Sequence, residues 1–191
     1  MAERKYLVLT AAGVDRPGLV ADLSAYVAAR HGNVEDSRMS VLGGMFGIMM
    51  LITGEPSAVG ALDADLAELE GQTGLHLQLH ATTAPSVSEN CTRFAFELHS
   101  SDREGLVHLV ADRLRGAGGN IVRLDSSVYP APVSGSPLFR LRVLVDLPRE
   151  SADAAYAELV AWAETEGMET SALPAVVDPD ASSSQVAHPQ V

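Results

Sequence analysis

The chain has 191 residues, 47% of them apolar and 20% charged, with a formal net charge of −12. That apolar share argues against a chain disordered throughout. The acidic balance argues against nucleic acid or an anionic membrane surface as a direct partner, because both are held by clustered Lys and Arg.

In chain order, Lys5 to Ala11 is rich in β-formers. Leu19, Val20, Leu23, Tyr26, Val27 and Arg30 then fall at helical spacing, so one stripe faces a core. Gly32 is expected to stop that helix. Val34 to Leu42, the Gly43-Gly44 turn and Phe46 to Thr53 read as a hairpin. Ser57 suits the cap of a helix carrying Val59, Leu62, Leu66 and Leu69. Leu75, Leu77, Leu79 and Ala81 alternate with polar residues, as on a half-buried strand.

Residues 83–91 lack an apolar period and read as a linker. Beyond it, Phe94, Phe96 and Leu98 alternate on a strand, and Leu106 to Leu114 carries a helical stripe. Ile121 to Val128 and Phe139 to Val145 make a hairpin around a stiff loop, Tyr129 to Pro137. A helix follows from about Ser151 to Glu166, then a short strand ending near Leu173. Residues 175–191 read as a disordered tail.

These two series are one unit written twice. Asp15-Arg16-Pro17-Gly18-Leu19-Val20 recurs as Asp102-Arg103-Glu104-Gly105-Leu106-Val107, and Gly32-Asn33-Val34 recurs as Gly119-Asn120-Ile121, both at an offset of 87 residues. A β-α-β-β-α-β order with right-handed crossovers gives a ferredoxin-like split βαβ sandwich, so the chain is α+β: two such sandwiches, each with helices on one face of an antiparallel sheet.

Catalytic signals are missing. No Ser-His-Asp spacing, metal cluster, phosphate loop or dinucleotide fingerprint is present, so neither catalysis nor a cofactor is expected. His76 and His80 share a strand face roughly 13 Å apart, too far for one metal ion. Met39, Met45, Met49 and Met50 read as core or interface filler. Cys91, the single cysteine, allows no internal disulfide and reads as a linker residue. No stretch approaches the roughly 20 apolar residues of a membrane span, and the start of the chain does not fit a signal peptide. A cytoplasmic protein is expected.

The Gly13-Val14-Asp15-Arg16-Pro17-Gly18-Leu19-Val20 turn between strand and helix, with Gly32-Asn33-Val34 after the helix, resembles the signature of ACT domains. The resemblance covers residues 3–82 and 92–174. A tandem pair without a catalytic domain resembles the glycine cleavage system transcriptional repressor group; the turn is also similar to the regulatory units of phosphoserine phosphatase and formyltetrahydrofolate deformylase. The resemblance implies small regulatory modules that bind amino acids, usually between two units.

Elementary chemistry supports such a site. A helix N-terminus offers free N–H groups and partial positive charge to a carboxylate. Gly18 and Gly105 lack a Cβ and allow close approach. Asp15 or Asp102 suits an α-ammonium, and Asn33 or Asn120 offers donor and acceptor together. The candidate ligand-binding set is therefore Asp15, Arg16, Pro17, Gly18, Leu19 and Asn33, with Asp102, Arg103, Gly105, Leu106 and Asn120 in the second copy. Plainer roles compete: Asp15 as the cap of the first helix with Pro17 in its first turn, Gly32 and Gly119 as helix stops, Arg16 and Arg103 solvated or paired with local acids. In the second copy Ser100-Ser101 replaces Gly13-Val14 and Glu104 replaces the proline, which removes the rigid φ and places a carboxylate where it would repel another. The expected function is a non-catalytic regulatory protein, plausibly a homodimer, that senses a small amino acid resembling glycine or serine and alters contact with a protein partner. The alternative is an interaction module with vestigial sites.

Overall fold

The computed structural model describes residues 4–84 and 90–173; the expected tail, and the middle of the expected linker, lie outside the described residues. The chain separates into two compact units, Met1–Ser86 and Val87–Val191.

The first unit runs β1 (Lys5–Val14), α1 (Leu19–Ala29), β2 (Asn33–Leu42), β3 (Met45–Gly54), α2 (Pro56–Ala64), α3 (Leu66–Thr73) and β4 (His76–Thr82). The second runs β5 (Cys91–Ser101), α4 (Leu106–Gly116), β6 (Asn120–Pro130), β7 (Pro137–Pro148), α5 (Ala152–Thr165) and β8 (Glu169–Ala172). The sheets are antiparallel, with strand orders β2-β3-β1-β4 and β6-β7-β5-β8. Each unit is a ferredoxin-like sandwich.

Strand alternation builds each core. Leu7, Leu9 and Ala11 of β1 join Phe46, Ile48, Met50 and Ile52 of β3 against Leu19, Leu23 and Val27 of α1. Phe94, Phe96 and Leu98 join Leu141, Val143 and Val145 against Leu106, Val110 and Leu114, and the Phe94 ring stacks on Tyr156 at 4.7 Å. Each fully buried Leu, Val or Phe contributes roughly 1.5–3 kcal/mol of transfer free energy. Of the four methionines expected as filler, Met50 is core, whereas Met39, Met45 and Met49 are exposed.

The structure corrects several local readings. The second helix of the first unit is two helices. Asp65 leaves the helical region at φ −105°, ψ 10°, and its carboxylate takes two hydrogen bonds from Arg30, at 3.1 and 2.7 Å. Tyr26 donates its hydroxyl to the Leu62 carbonyl at 2.6 Å, the acceptor that the Leu66 N–H would use in an unbroken helix. Tertiary bonds thus replace the missing helical one. Pro56 opens α2 after Glu55, and Ser57 is no cap.

The helix stops also shift by one residue. After α1 the left-handed position is His31, at φ 59°, not Gly32. His31 N–H bonds the Ala28 carbonyl at 3.0 Å and Gly32 N–H the Val27 carbonyl at 3.0 Å, which is a Schellman motif. After α4, Gly118 (φ 72°) and Gly119 make the same two bonds, to Arg115 and Leu114. Gly32 is needed for space instead: a Cβ there would stand 2.8 Å from Val27 Cγ1.

Two more features repeat. Both edge strands carry a bulge, between Val34 and Asp36 in β2 and between Ile121 and Arg123 in β6. The expected 129–137 loop is shorter than read, because the hairpin stays paired through Tyr129↔Leu138 and Pro130↔Pro137. Cys91 opens β5 and so belongs to the sheet, not to a linker.

His31 supplies a direct test. A Cβ at a left-handed position costs about 1 kcal/mol relative to glycine. His31→Gly is expected to raise unfolding free energy by about that amount in urea titration, whereas Gly118→Ala in the matching position lowers it.

Candidate functional site

The repeated turn sits where the first strand of each unit enters its first helix. Asp15 N–H bonds the Gly44 carbonyl at 3.0 Å, and Asp102 N–H bonds the Pro137 carbonyl at 3.2 Å. Two residues later Pro17-Gly18 and Glu104-Gly105 turn the chain. Gly18 lies at φ 94°, ψ −10° and Gly105 at φ 80°, ψ 3°, the values of the third residue of a type II turn. The glycine serves that φ, and the space beside it is open: an added Cβ would meet Arg16 Nη1 at 3.9 Å at Gly18, and nothing within 4 Å at Gly105.

Helices α1 and α4 start at these glycines, which are their N-caps, with no side-chain cap bond. Asp15 therefore does not cap α1, and Pro17 precedes it. The first helical bonds are Asp22 N–H to Gly18 and Leu109 N–H to Gly105, each 2.9 Å. The N–H groups of Leu19, Val20 and Ala21, and of Leu106, Val107 and His108, precede those bonds and carry the positive end of the helix dipole. Asp15 and Asp102 are exposed beside them, and neither carboxylate forms an ion pair among the described residues.

The two arginines are committed. Arg16 pairs with Asp22 at 2.9 Å, and Arg103 with Glu166 at 3.1 Å. Both pairs are solvent-exposed, worth roughly 0–1 kcal/mol each. Leu19 and Leu106 are core residues, 1% and 3% exposed, so their side chains face away from any ligand at the turn. Glu104 is exposed, and the second turn keeps its geometry without the proline. The Glu104 carboxylate is therefore open to solvent, and the turn forms without the fixed φ of a proline.

Asn33 and Asn120 do not join these groups. Asn33 pairs with Thr53, which pairs with Tyr6 at the start of β1. Asn120 pairs with Asp146, which pairs with Arg93 near the start of β5. Tyr6 to Asp15, like Arg93 to Asp102, spans nine residues of extended chain, about 30 Å. The helix returns the chain to the far end of the sheet. Within one unit the aspartate and the asparagine cannot touch the same small amino acid.

A second cluster of titratable groups escaped the sequence reading. On the sheet face away from the helices of the second unit, Arg142 and His99 both bond Glu97, the latter at 2.6 Å, and His99 Nδ1 meets the Tyr129 hydroxyl at 2.9 Å. The Arg142 hydrogen bond, assisted by His99, holds the Glu97 carboxyl below its ordinary range. Alternation along β5 and β7 placed these residues on one face, but their pairing depends on register. His76 and His80 are exposed on β4, and no group of three or more His, Cys, Asp or Glu among the described residues could hold a metal ion.

An ACT domain family model matches residues 5–80, the first unit. The second unit repeats its topology strand for strand. The first unit belongs to the ACT-domain family. It is 28% identical to the glycine cleavage system transcriptional repressor of Escherichia coli over 158 residues, 83% of each chain. It is 34% identical over 70 residues to a UPF0237 protein of Methanopyrus kandleri, covering 36% of this chain and 78% of that one. A solved structure of an unknown protein from Galdieria sulphuraria, 29% identical, superposes with a TM-score of 0.72 over 89% of this chain and 98% of that chain. The similarity to that repressor runs along most of both chains.

Two outcomes follow. Glu104→Pro is expected to raise stability by about 0.4–1 kcal/mol, because the turn already has the shape that proline prefers at Pro17; urea denaturation measures it. The lowered Glu97 carboxyl contributes stability above its unfolded value near 4.5, and this is lost as pH falls through the lower folded value. Wild type is expected to lose more stability than Glu97→Gln on going from about pH 5 to about pH 3, as read from thermal midpoints.

Proposed function

We propose that the protein is a non-catalytic regulator whose ACT units bind a small amino acid, glycine- or serine-like, at the strand-to-helix turns, and that binding alters contact with a protein partner. The observation that carries this reading is the repeated geometry of the turn. Each copy sets a carboxylate that forms no ion pair among the described residues, Asp15 or Asp102, at the turn into a helix N-terminus without a side-chain cap. A zwitterion needs that combination: anion for its ammonium, N–H donors for its carboxylate. Likeness to a transcriptional repressor along 83% of the chain supports a regulatory role. With a net charge of −12, an effect on transcription would pass through another protein rather than through direct contact with nucleic acid.

The two sites are not equivalent. At the first turn Arg16 pairs with Asp22, and Asp15 is its chain neighbour; at the second Arg103 pairs with Glu166, and both its chain neighbours, Asp102 and Glu104, are acidic. The added negative charge repels a ligand carboxylate, so the first turn is the stronger site. A reading as a protein-interaction module is favoured by a different observation, the exposed Val14, Leu42, Met45 and Met49 on the open face of the first sheet.

Binding must differ between two states of the protein to regulate anything. A thermal-shift screen against the twenty amino acids tests the binding step. Glycine or serine at 100 times its dissociation constant is expected to stabilise the fold by roughly 2.7 kcal/mol. Asp15→Ala is expected to abolish most of the shift, and Asp102→Ala a smaller part. No shift with any amino acid at millimolar concentration contradicts the sensor reading and favours the interaction module.

A further inference from the structure

The open faces of the two sheets have diverged. By register, Thr10 and Met49 of the first unit stand where Glu97 and Arg142 stand in the second, and Ala12 and Gly47 where His99 and Arg140 stand. Ser40 and Leu42 correspond to Ser127 and Tyr129. Where the first unit sets Met49, Gly47, Ala12 and Leu42, the second sets Arg142, Arg140, His99 and Tyr129.

One cation in that network lacks an acid. Arg16, Arg30, Arg38, Arg93, Arg103, Arg113, Arg115, Arg123 and Arg142 each form an ion pair with a carboxylate. Arg140, half-buried in the middle of the face, forms none among the described residues. One Nη donates to Ser127 Oγ at 3.2 Å, and the guanidinium rests 5.7 Å from the centre of the Tyr129 ring. Acids on the face are engaged elsewhere: Glu97 with Arg142 and His99, Asp125 with Arg123, Asp146 with Arg93. Glu169, opposite His99 on β8, is exposed and forms no ion pair with Arg140.

A guanidinium has five N–H groups in a planar fork. Ser127 uses one. Its own hydroxyl hydrogen remains for an acceptor lying beside the arginine. Tyr129 cannot swing away, because its hydroxyl is held by His99, which is held in turn by Glu97. The wall is thus oriented before anything binds, and the arginine and the serine hydroxyl already stand together.

The geometry points to a carboxylate-binding site on the open face of the second sheet, with Arg140 as the ion-pair partner, Ser127 as the hydrogen-bond donor and Tyr129 as the wall. A planar carboxylate matches the guanidinium fork with two parallel bonds. This site is separate from the strand-to-helix turns and requires no ammonium group.

Succinate is therefore the probe, since it lacks the ammonium that the turn aspartates need. Titrating the full chain with sodium succinate, against sodium chloride at matched ionic strength, is expected to shift the Arg140 Nε–H and the backbone amides of Ser127 and Tyr129 saturably in heteronuclear NMR spectra. The amides of Asp15 and Asp102 are expected to stay in place. Arg140→Gln is expected to weaken the apparent affinity about tenfold or more, with an unchanged thermal midpoint. If that variant does not fold, Ser127→Ala replaces it and is expected to weaken binding several-fold. Shifts that follow ionic strength alone, or a variant that titrates like wild type, overturn the site. Saturable binding of inorganic phosphate without succinate overturns its assignment to carboxylates.

Discussion

Both units turn from first strand to first helix through a glycine held at positive φ, and much of the molecule depends on that conformation. The type II turn ends β1 and β5 at the hairpin of the neighbouring strand, through Asp15 to Gly44 and Asp102 to Pro137. It starts the helix without a side-chain cap, so the first N–H groups stay available. The same turn leaves the aspartate at its mouth. A residue with a Cβ would strain the turn at φ near 90°, although the space for it is open. Backbone conformation, rather than packing, is what the repeated glycine protects.

Closure at the far end of the helix uses the same economy in both copies. A left-handed residue and its successor take two carbonyls from the last helical turn, and the chain enters the edge strand. From there the copies part. The first unit splits its second helix at Asp65, where Tyr26 and Arg30 reach across from α1. The second keeps one uninterrupted helix, α5, and extends its hairpin. Their open faces differ most: methionine, valine and leucine in one, and arginine, glutamate, histidine and tyrosine in the other. One duplicated scaffold thus presents two chemically different surfaces.

Much of this was legible in the chain. Period-2 and period-3.6 patterns located the strands and helices, and the recurrence of Asp-Arg-x-Gly-Leu-Val gave the duplication. What escaped was set by long-range geometry. The break at Asp65 depends on Tyr26, thirty-six residues in sequence from the Leu62 carbonyl that it bonds. The left-handed residue is His31 because the two closing hydrogen bonds fall on His31 and Gly32, and Gly32 itself serves the close approach to Val27. Asp15 and Asn33 both recur at the same offset of 87 residues, so the sequence suggests one site; an 11-residue helix between them carries the asparagine to the other end of the sheet. The Arg142–Glu97–His99–Tyr129 chain needs the register of three strands, which no local pattern encodes.

The central claim is that small amino acids bind where strand enters helix. An amide-resolved NMR titration of the full chain with glycine and with serine tests it most directly. The account predicts saturable shifts clustered at Asp15 to Ala21, weaker ones at Asp102 to His108, and none at Asn33 or Asn120. Shifts centred on Asn33 or Asn120, with the turns unmoved, would contradict it.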